Sequence, residues 1–270
     1  MCSKLKSPDQ LNSLLEVATY FKDEKVCLKY LEEWIWGGDI RCRQCGFDKP
    51  YRYADGKRFR CKMCGTGFTA KVGTIFEGSK LPLQKWFMAM FLISGNKKGV
   101  ASTQLAVHIG VTQKTAWFMA HKIRRALKQG SVKLEGVVSS DEAMVGGKNG
   151  NRHKDKKYMH GYGRNFKDKT PVLGMMEKDG IVKTVVLEAM RHSLIKYHVL
   201  NSVKRGSTLV TDEYGAYRSM KKYYHHCVNN HQKKIYVSKE GHSSNNIEGF
   251  WSHLKRMIIG VYHFVSKKHL

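Results

Sequence analysis

Apolar side chains recur at helical spacing near the start of the chain. Intervals of three and four residues place side chains on one face of a helix. Such intervals connect the apolar positions Leu14, Leu15, Val17, Ala18 and Phe21, and then Cys27, Leu28, Leu31 and Trp34. We predict two short helices between residues 11 and 36, with the acidic pair Asp23-Glu24 opening the second.

The hydrophobic pattern changes twice before residue 130. Residues 39–76 are rich in glycine, cysteine and basic residues, and their short alternating stretches predict small β-hairpins. The apolar run Leu83–Ser94 predicts a helix. A helix over Ser102–Ile109, a tight turn at Gly110-Val111 and a second helix over Thr112–Lys128 are expected to follow.

From about residue 132 the pattern is that of strands with intervening helices. Apolar runs predict strands at Val137–Ser140, Val172–Met176, Ile181–Leu187 and Thr208–Thr211. A closing helix is predicted over Asn245–Met257. The expected architecture is an α+β multidomain chain whose last part contains a sheet with flanking helices.

Charge narrows the class of partner. The chain has 48 Lys and Arg against 22 Asp and Glu, a net charge of +26, and an isoelectric point near 9.8. Such a charge is usually neutralised by a polyanion, so nucleic acid is the expected partner and a basic structural protein is the alternative. An anionic membrane surface is the lesser alternative for such a charge. A membrane-spanning helix is not expected, because the longest apolar run, Trp86–Ser94, is far shorter than the roughly 20 residues of a span.

Four of the seven cysteines form two CxxC pairs separated by 15 residues: Cys42, Cys45, Cys61 and Cys64. Two such pairs supply the four thiolates that tetrahedral Zn²⁺ prefers, and a site filled by protein ligands is structural. Gly46 and Gly65, one after each pair, provide the permissive backbone that a tight turn needs. The pattern predicts a zinc ribbon in a reducing cytosol, with iron or a redox pair as alternatives.

The predicted helix pair before residue 130 has the features of a helix-turn-helix. Ala106 and Gly110 permit close packing, and Thr112 is suited to cap the second helix. The buried positions expected on that helix are Ala116, Met119 and Ile123, and the outward ones are Gln113, Lys114, Thr115, His121 and Lys122. These outward side chains are available to DNA, although an ordinary helical hairpin would show the same pattern.

Three carboxylates lie where metal ions are often held. Asp141 and Asp212 each follow an apolar, strand-like run, and Glu248 lies early in the closing helix with Lys255 two turns further on. Two carboxylates at strand ends and a third on a packed helix can converge on two Mg²⁺ ions, which require oxygen ligands. Taken singly, an aspartate after a strand is often only a turn former.

Several neighbouring residues carry no catalytic expectation. Glu142 and Glu213 follow the two aspartates directly and are expected to point away from them if the backbone is extended. Trp251 is interpreted as core packing. The cluster of His225, His226, Cys227 and His231 is interpreted as a solvated basic stretch, since its spacing is irregular for a metal site.

The sequence resembles bacterial insertion-sequence transposases in which a zinc ribbon precedes an RNase-H-like DDE domain. The matching stretches are FKDEKVCLKYLEEWIWGGDIRCRQCG, FRCKMCGTGFTAKVGTIFEGSKLPLQKWFMAMFLI, SSDEAMVGGK, TDEYGAY and NNIEGFWSHLKRMIIGVYHFVSKKHL. The 35 residues between Asp212 and Glu248 also equal the interval of the D,D-35-E transposases and retroviral integrases.

This resemblance implies a DNA transposase. Its metal ligands would be Asp141 and Asp212, with Glu248 or Asn245 as the third, and Lys255 would contact the DNA end. Two Mg²⁺ or Mn²⁺ ions would serve cleavage and strand transfer, and Zn²⁺ would be structural. The expected partner is double-stranded DNA, both element ends and target, bound by a homodimer or larger assembly in the bacterial cytoplasm at the nucleoid.

The implied organisation has four parts: N-terminal helices (1–38), a zinc ribbon (39–78), a helix-turn-helix DNA-binding region (79–130) and an RNase-H-like DDE domain with a mixed sheet (131–270). The family is expected to continue with a further helix after Leu270, which predicts a truncated copy. The alternatives are a non-catalytic zinc-ribbon and helix-turn-helix regulator, an inactive transposase relic, and a nuclease that cuts without joining.

Overall fold

A computed structural model describes residues 10–127, 132–147, 149–151, 153–157, 169–229, 237 and 241–270. The chain divides into two compact units, residues 1–128 and 129–270. Among the described helices, none has the length and apolar character needed to cross a membrane.

The first unit begins with the two predicted helices, α1 (Leu14–Tyr20) and α2 (Glu24–Trp36). The Asp23 carboxylate accepts a hydrogen bond from the Lys25 backbone N–H at 2.9 Å and so satisfies one of the free amides at the start of α2. At the other end, Gly37 adopts a left-handed φ of 59°, which stops the helix. The prediction that Asp23-Glu24 opens α2 is confirmed.

A three-stranded antiparallel sheet follows, composed of β1 (Tyr51–Arg52), β2 (Arg58–Arg60) and β3 (Gly67–Thr69) in that order. Its core is small: the rings of Phe59 and Phe68 stack 5.4 Å apart, and Trp36 of α2 packs edge-on against both. The predicted hairpins are confirmed.

Three helices complete this unit: α3 (Leu83–Gly95), α4 (Ser102–Ile109) and α5 (Gln113–Leu127). Gly110 turns the chain between α4 and α5 with a φ of 61°, and the Thr112 hydroxyl accepts a hydrogen bond from the Thr115 N–H at 3.3 Å. The predicted helix, tight turn and helix are therefore present.

The side chains of α5 divide largely as the sequence predicts. The buried residues are Ala116, Met119, Ala120 and Ile123, and the exposed ones include Gln113, Lys114, Trp117, Phe118 and His121. Lys122 is half-buried, because its ammonium donates to the Glu77 carbonyl at 3.2 Å and lies over the Phe118 ring. The exposed aromatic pair, Trp117 and Phe118, was not singled out from the sequence.

The second unit is built on a five-stranded mixed sheet. Its strands are β4 (Val137–Gly146), β5 (Lys169–Glu177), β6 (Val182–Val186), β7 (Thr208–Thr211) and β8 (His225–Val228). They lie in the order β6-β5-β4-β7-β8, with antiparallel pairing from β6 to β4 and parallel pairing from β4 to β8. The mixed sheet expected of an RNase-H-like domain is therefore present.

Each face of this sheet is covered by different elements. Helix α6 (His192–Ser202) and a 3₁₀ segment (Gly215–Lys222) pack on one face, around Val138, Leu173 and Leu209. Helix α7 (Asn245–Met257), continued by a π turn over Ile258–Tyr262, packs on the other face around Ala143, Val145 and Val172. The two faces are called the α6 face and the α7 face below.

Two expectations for this unit need correction. Strand β4 continues six residues beyond Ser140, so Asp141 lies inside a strand and not at its end, because β5 pairs with β4 residue for residue as far as Gly146. His225, His226 and Cys227 lie in strand β8, because pairing with β7 outweighs their polar composition. Cys227 is buried and His226 is half-buried, while His225 remains exposed, so the expected solvated stretch is only partly correct. His231 lies outside the described residues.

Candidate active site

Strand register brings the two aspartates to the same place on the sheet. Ser139 of β4 is the partner of Val210 of β7 in the last pair of their parallel ladder. Asp141 lies two residues further along β4, and Asp212 lies two residues after Val210, one residue beyond the end of β7. Side chains alternate along a strand, so Asp141 projects from the same face as Ala143 and Val145, the α7 face. The Asp212 carboxylate lies near enough to act electrostatically on Asp141.

The Asp212 carboxylate also closes a turn. Its Oδ1 accepts a hydrogen bond from the Tyr214 backbone N–H at 3.0 Å as the chain leaves β7. Such a turn is the ordinary structural role of an aspartate after a strand. One oxygen serves it, and a carboxylate has about four lone-pair positions, so the turn leaves Asp212 able to bind a cation as well.

Helix α7 contributes two side chains to this region. The indole Nε1–H of Trp251 donates a hydrogen bond to Asp141 Oδ2 at 3.1 Å. Glu248 lies three residues earlier, on the same side of the helix, and accepts a hydrogen bond from the Ser244 hydroxyl at 3.2 Å. Sheet and helix together therefore surround Asp141 with an indole and two carboxylates.

The electrostatics of Asp141 reflect these neighbours. Burial raises the pKa of Asp141, and the carboxylates of Asp212 and Glu248 raise it further, while the Glu142 backbone N–H and the Trp251 indole oppose the rise. Negative charge accumulates here in a chain of net charge +26. A divalent cation at this point would relieve the repulsion among the three carboxylates.

The three carboxylates are spaced more widely than a single-ion cluster. Among groups of three or more His, Cys, Asp or Glu residues in the part of the chain that the structure describes, only the four cysteines have donor atoms that all lie within 4.8 Å of one another. Two-metal sites hold ions about 3.5–4 Å apart, and their ligands are correspondingly spread. The donor set is all oxygen, which suits Mg²⁺ or Mn²⁺.

The remaining residues predicted for the site, Asn245 and Lys255, also lie on α7. Asn245 is the first residue of the helix, one turn before Glu248, and Lys255 is two turns after Glu248; all three side chains are exposed. Only Glu248 can add a negative charge near Asp141. Lys255 can meet a phosphate from the solvent side.

Glu142 lies on the α6 face and has a different partner. The Tyr217 hydroxyl donates to Glu142 Oε1, and Ser140 Oγ lies 3.1 Å from the same hydroxyl. Burial raises the pKa of Tyr217 well above its ordinary value. Glu142 therefore points away from Asp141, as the alternation of a strand requires. The Oε2 of Glu213 is buried without a hydrogen-bond partner among the described residues.

Gly174 makes room for helix α7 beside Asp141. It is the β5 partner of Asp141, and a Cβ at this position would lie 2.5 Å from Cζ2 and 2.8 Å from Cη2 of Trp251. Such distances are far inside van der Waals contact. A side chain at residue 174 would therefore displace the Trp251 ring.

Replacing Gly174 by alanine should destabilise the second unit by about 1–3 kcal/mol, the usual cost of overpacking. Gly249→Ala is the matched control. Gly249 lies in α7, and nothing comes within 4 Å of the point that an added Cβ would occupy, so the change should stabilise by up to about 1 kcal/mol. Urea unfolding followed by far-UV circular dichroism measures both. Equal stabilities for the two variants would contradict the tight fit at Gly174.

The four cysteines form a site of their own in the first unit. Cys42 and Cys64 Sγ are 3.7 Å apart, and Cys45 and Cys61 Sγ are 3.5 Å apart. A tetrahedral ion with metal–sulfur bonds of about 2.3 Å places its sulfurs about 3.8 Å apart. The spacing of the thiols therefore fits a Zn²⁺ ion.

The backbone of the two CxxC pairs follows one pattern. The N–H of Cys42 donates to the Phe47 carbonyl at 2.9 Å, and the N–H of Cys61 donates to the Thr66 carbonyl at 2.9 Å. Gly46 and Gly65 have positive φ values of 77° and 70°, a conformation that favours glycine. The expectation from the sequence that these glycines permit the turns is confirmed.

Two known families match this chain. The ISXO2-like transposase domain matches residues 133–270, which hold the mixed sheet and α7, and the transposase zinc-ribbon domain matches residues 22–67, which hold α2 and the cysteines. An uncharacterized protein in transposable element ISH50 of Halobacterium salinarum is 27% identical over 207 residues, which cover 73% of this chain and 70% of that protein.

Two solved structures of Mos1 are distant matches. Its strand transfer complex gives a TM-score of 0.26 at 11% identity, covering 72% of this chain and 75% of that one. A pre-cleavage Mos1 transpososome gives a TM-score of 0.25 at 8% identity, covering 94% and 95%. TM-scores this low do not establish a shared fold, and the family of this chain is shown by the two sequence-family matches. The chain belongs to the ISXO2-like transposase family, with a transposase zinc ribbon ahead of its transposase domain.

Proposed function

We propose that this chain binds the double-stranded ends of its insertion sequence and catalyses metal-dependent DNA strand cleavage and strand transfer. The observation that carries the proposal is the parallel pairing of β4 with β7, which brings Asp212, one residue beyond the end of β7, near Asp141 on the face covered by α7. Family membership adds the class of reaction. The relative from Halobacterium salinarum, itself uncharacterized, lies in a transposable element.

Asp141, Asp212 and Glu248 are the proposed ligands of two Mg²⁺ or Mn²⁺ ions. When bound, such ions activate the attacking oxygen and stabilise the leaving oxygen of an in-line displacement at phosphorus. In the first displacement a water oxygen attacks and a 3′-hydroxyl leaves. In the second, that 3′-hydroxyl attacks a phosphodiester of the target strand and the target's own 3′-oxygen leaves. The same three carboxylates would hold the ions in one arrangement for both displacements.

Glu248 is the favoured third ligand because its charge reaches Asp141. Asn245, one turn earlier at the start of α7, is the other candidate, and an amide oxygen there would offer a neutral ligand. Lys255, exposed two turns beyond Glu248, is proposed to contact the DNA end.

DNA binding is assigned to α5 and its surroundings in the first unit. The exposed polar side chains Gln113, Lys114 and His121 project from a helix that a tight turn joins to α4. That arrangement is the one by which a helix-turn-helix enters a major groove. The four cysteines are proposed to hold a structural Zn²⁺ that fixes the neighbouring ribbon. Pairing two element ends requires at least a dimer.

The test is a cleavage and strand-transfer assay on short duplexes that carry the DNA flanking the gene. Wild type and Asp141→Ala are compared with Mg²⁺, with Mn²⁺ and with chelator. Metal-dependent nicking at the 3′ end that the variant lacks would establish the enzyme, and joined products would distinguish a transposase from a nuclease. Binding without cleavage under every condition would refute the catalytic proposal and leave a DNA-binding regulator or an inactive relic.

A further inference from the structure

Trp251 is a core residue with one polar contact. Its side chain is 4% exposed and packs in the apolar cluster of the α7 face with Val172, Ile247 and Ile258. A buried indole N–H needs an acceptor. The acceptor here is Asp141 Oδ2 at 3.1 Å, an oxygen 110 residues earlier in the sequence.

The slot that receives the indole lies directly beside that aspartate. Gly174 is the β5 partner of Asp141, and the Trp251 ring occupies the space in which a Cβ at residue 174 would lie. The ring is therefore closely fitted beside Gly174, and from this position its N–H donates to Asp141 Oδ2. Packing and hydrogen bonding fix the same geometry.

We propose that Trp251 is a positioning residue for the metal site, acting through Asp141. The indole occupies one lone pair of Oδ2 and holds the carboxylate in a single orientation, so that the remaining oxygen lone pairs are presented toward Asp212 and a bound ion. Hydrogen bonds to ligating carboxylates commonly affect metal affinity or activity by about 10–100-fold. The inference rests on the proposed function, since it assumes that Asp141 is a ligand.

The same helix carries the third acid. Glu248 lies three residues before Trp251, so the seating of one ring beside Gly174 sets the position of both the Asp141 carboxylate and the Glu248 backbone. A displacement of α7 from this position would disturb two of the three proposed ligands, Asp141 and Glu248, together. Trp251 thus couples the docking of α7 to the geometry of the acids.

Trp251→Phe tests the proposal, because phenylalanine retains a ring in the slot and removes the N–H. Mn²⁺ binding to the DNA-free protein, followed by electron paramagnetic resonance of the free ion, should weaken about 10–100-fold. Cleavage should fall at low Mn²⁺ and recover in part at saturating Mn²⁺, with DNA affinity unchanged. Ile258→Val is the control: it trims the same apolar cluster without touching Asp141, so it should lower the melting temperature and leave Mn²⁺ affinity unchanged.

A spectroscopic measurement observes the contact without activity. The five tryptophans give five indole ¹⁵N–¹H signals, and the signal lost in Trp251→Phe identifies Trp251. That signal should shift in metal-free Asp141→Ala, where the acceptor is missing, and should shift in wild type when Mg²⁺ is added. No shift in either case would overturn the proposal, as would wild-type Mn²⁺ affinity in Trp251→Phe.

The two proposals fail in different ways. If Asp141→Ala binds Mn²⁺ as wild type does, then Asp141 is not a ligand, and the proposed metal site and the role of Trp251 fall together. If Asp141→Ala loses binding while Trp251→Phe keeps it, the site stands and only the positioning role is wrong. If Ile258→Val lost as much Mn²⁺ affinity as Trp251→Phe, then Trp251 would act only through packing and the positioning role would be wrong.

Discussion

Replacing Asp212 by asparagine is expected to lower the rate of strand cleavage at least about a thousandfold while DNA affinity stays within about twofold of wild type. A metal ligand contributes several kcal/mol of charge stabilisation in the transition state, and each 1.36 kcal/mol is a tenfold change in rate. Asparagine keeps the Oδ1 that accepts from the Tyr214 N–H, so the turn after β7 should survive and only the charge is lost.

Single-turnover cleavage and fluorescence anisotropy on the same duplex measure the two quantities. Asp179→Asn is the matched control, because it removes the same charge from an exposed turn between β5 and β6. Asp179 has a φ of 59°, which asparagine tolerates. Cleavage within tenfold of wild type in Asp212→Asn, or equal losses in the two variants, would show that Asp212 is not a ligand.

Removing zinc is expected to unfold the ribbon. The buried apolar cluster there consists of Cys42, Phe59, Cys61 and Phe68, and two of those four residues are proposed zinc ligands. So small a core cannot offset the entropy of ordering its strands, whereas structural zinc supplies about 10–16 kcal/mol of apparent binding free energy near neutral pH. A strong chelator should therefore abolish amide-exchange protection in β1, β2 and β3.

Cys61→Ser should reproduce that loss without a chelator. Serine is a poor ligand for zinc, so metal content measured by atomic absorption should fall from one ion per chain to less than a tenth of that. Cys227→Ala, a change on β8 outside the cluster, should keep one ion per chain. A Cys61→Ser protein that retains zinc or keeps protection in β2 would refute the four-cysteine site.

Some of this architecture follows from local sequence. Helix α4, strand β7 and helix α7 have the predicted bounds, because local signals specify each of them. Gly110 stops α4, β-branched residues define β7, and apolar residues at three- and four-residue intervals define α7. The cysteine cluster was equally predictable, since the CxxC spacing already encodes the turn and its ligands.

The features that were missed depend on contacts distant in sequence. The extension of β4 past Ser140 comes from pairing with β5, and β8 exists because β7 offers it a parallel edge. The hydrogen bond from Trp251 to Asp141 joins residues 110 positions apart. The interpretation of Trp251 as a core residue was correct for its ring, but it did not predict the hydrogen bond that the indole N–H makes. No periodicity in the sequence contains that information.

The backbone segments that carry the three acids differ in local stability. Asp141 lies inside β4, and the residues before and after it in the sequence all pair with β5. Asp212 lies just beyond the end of β7, and Glu248 lies in the first turn of α7. Helix ends open by local fluctuation far more readily than the middle of a sheet. Rising temperature would therefore separate Glu248 from the other two acids while the sheet stays folded, so the proposed cleavage activity would be lost below the melting temperature of the domain.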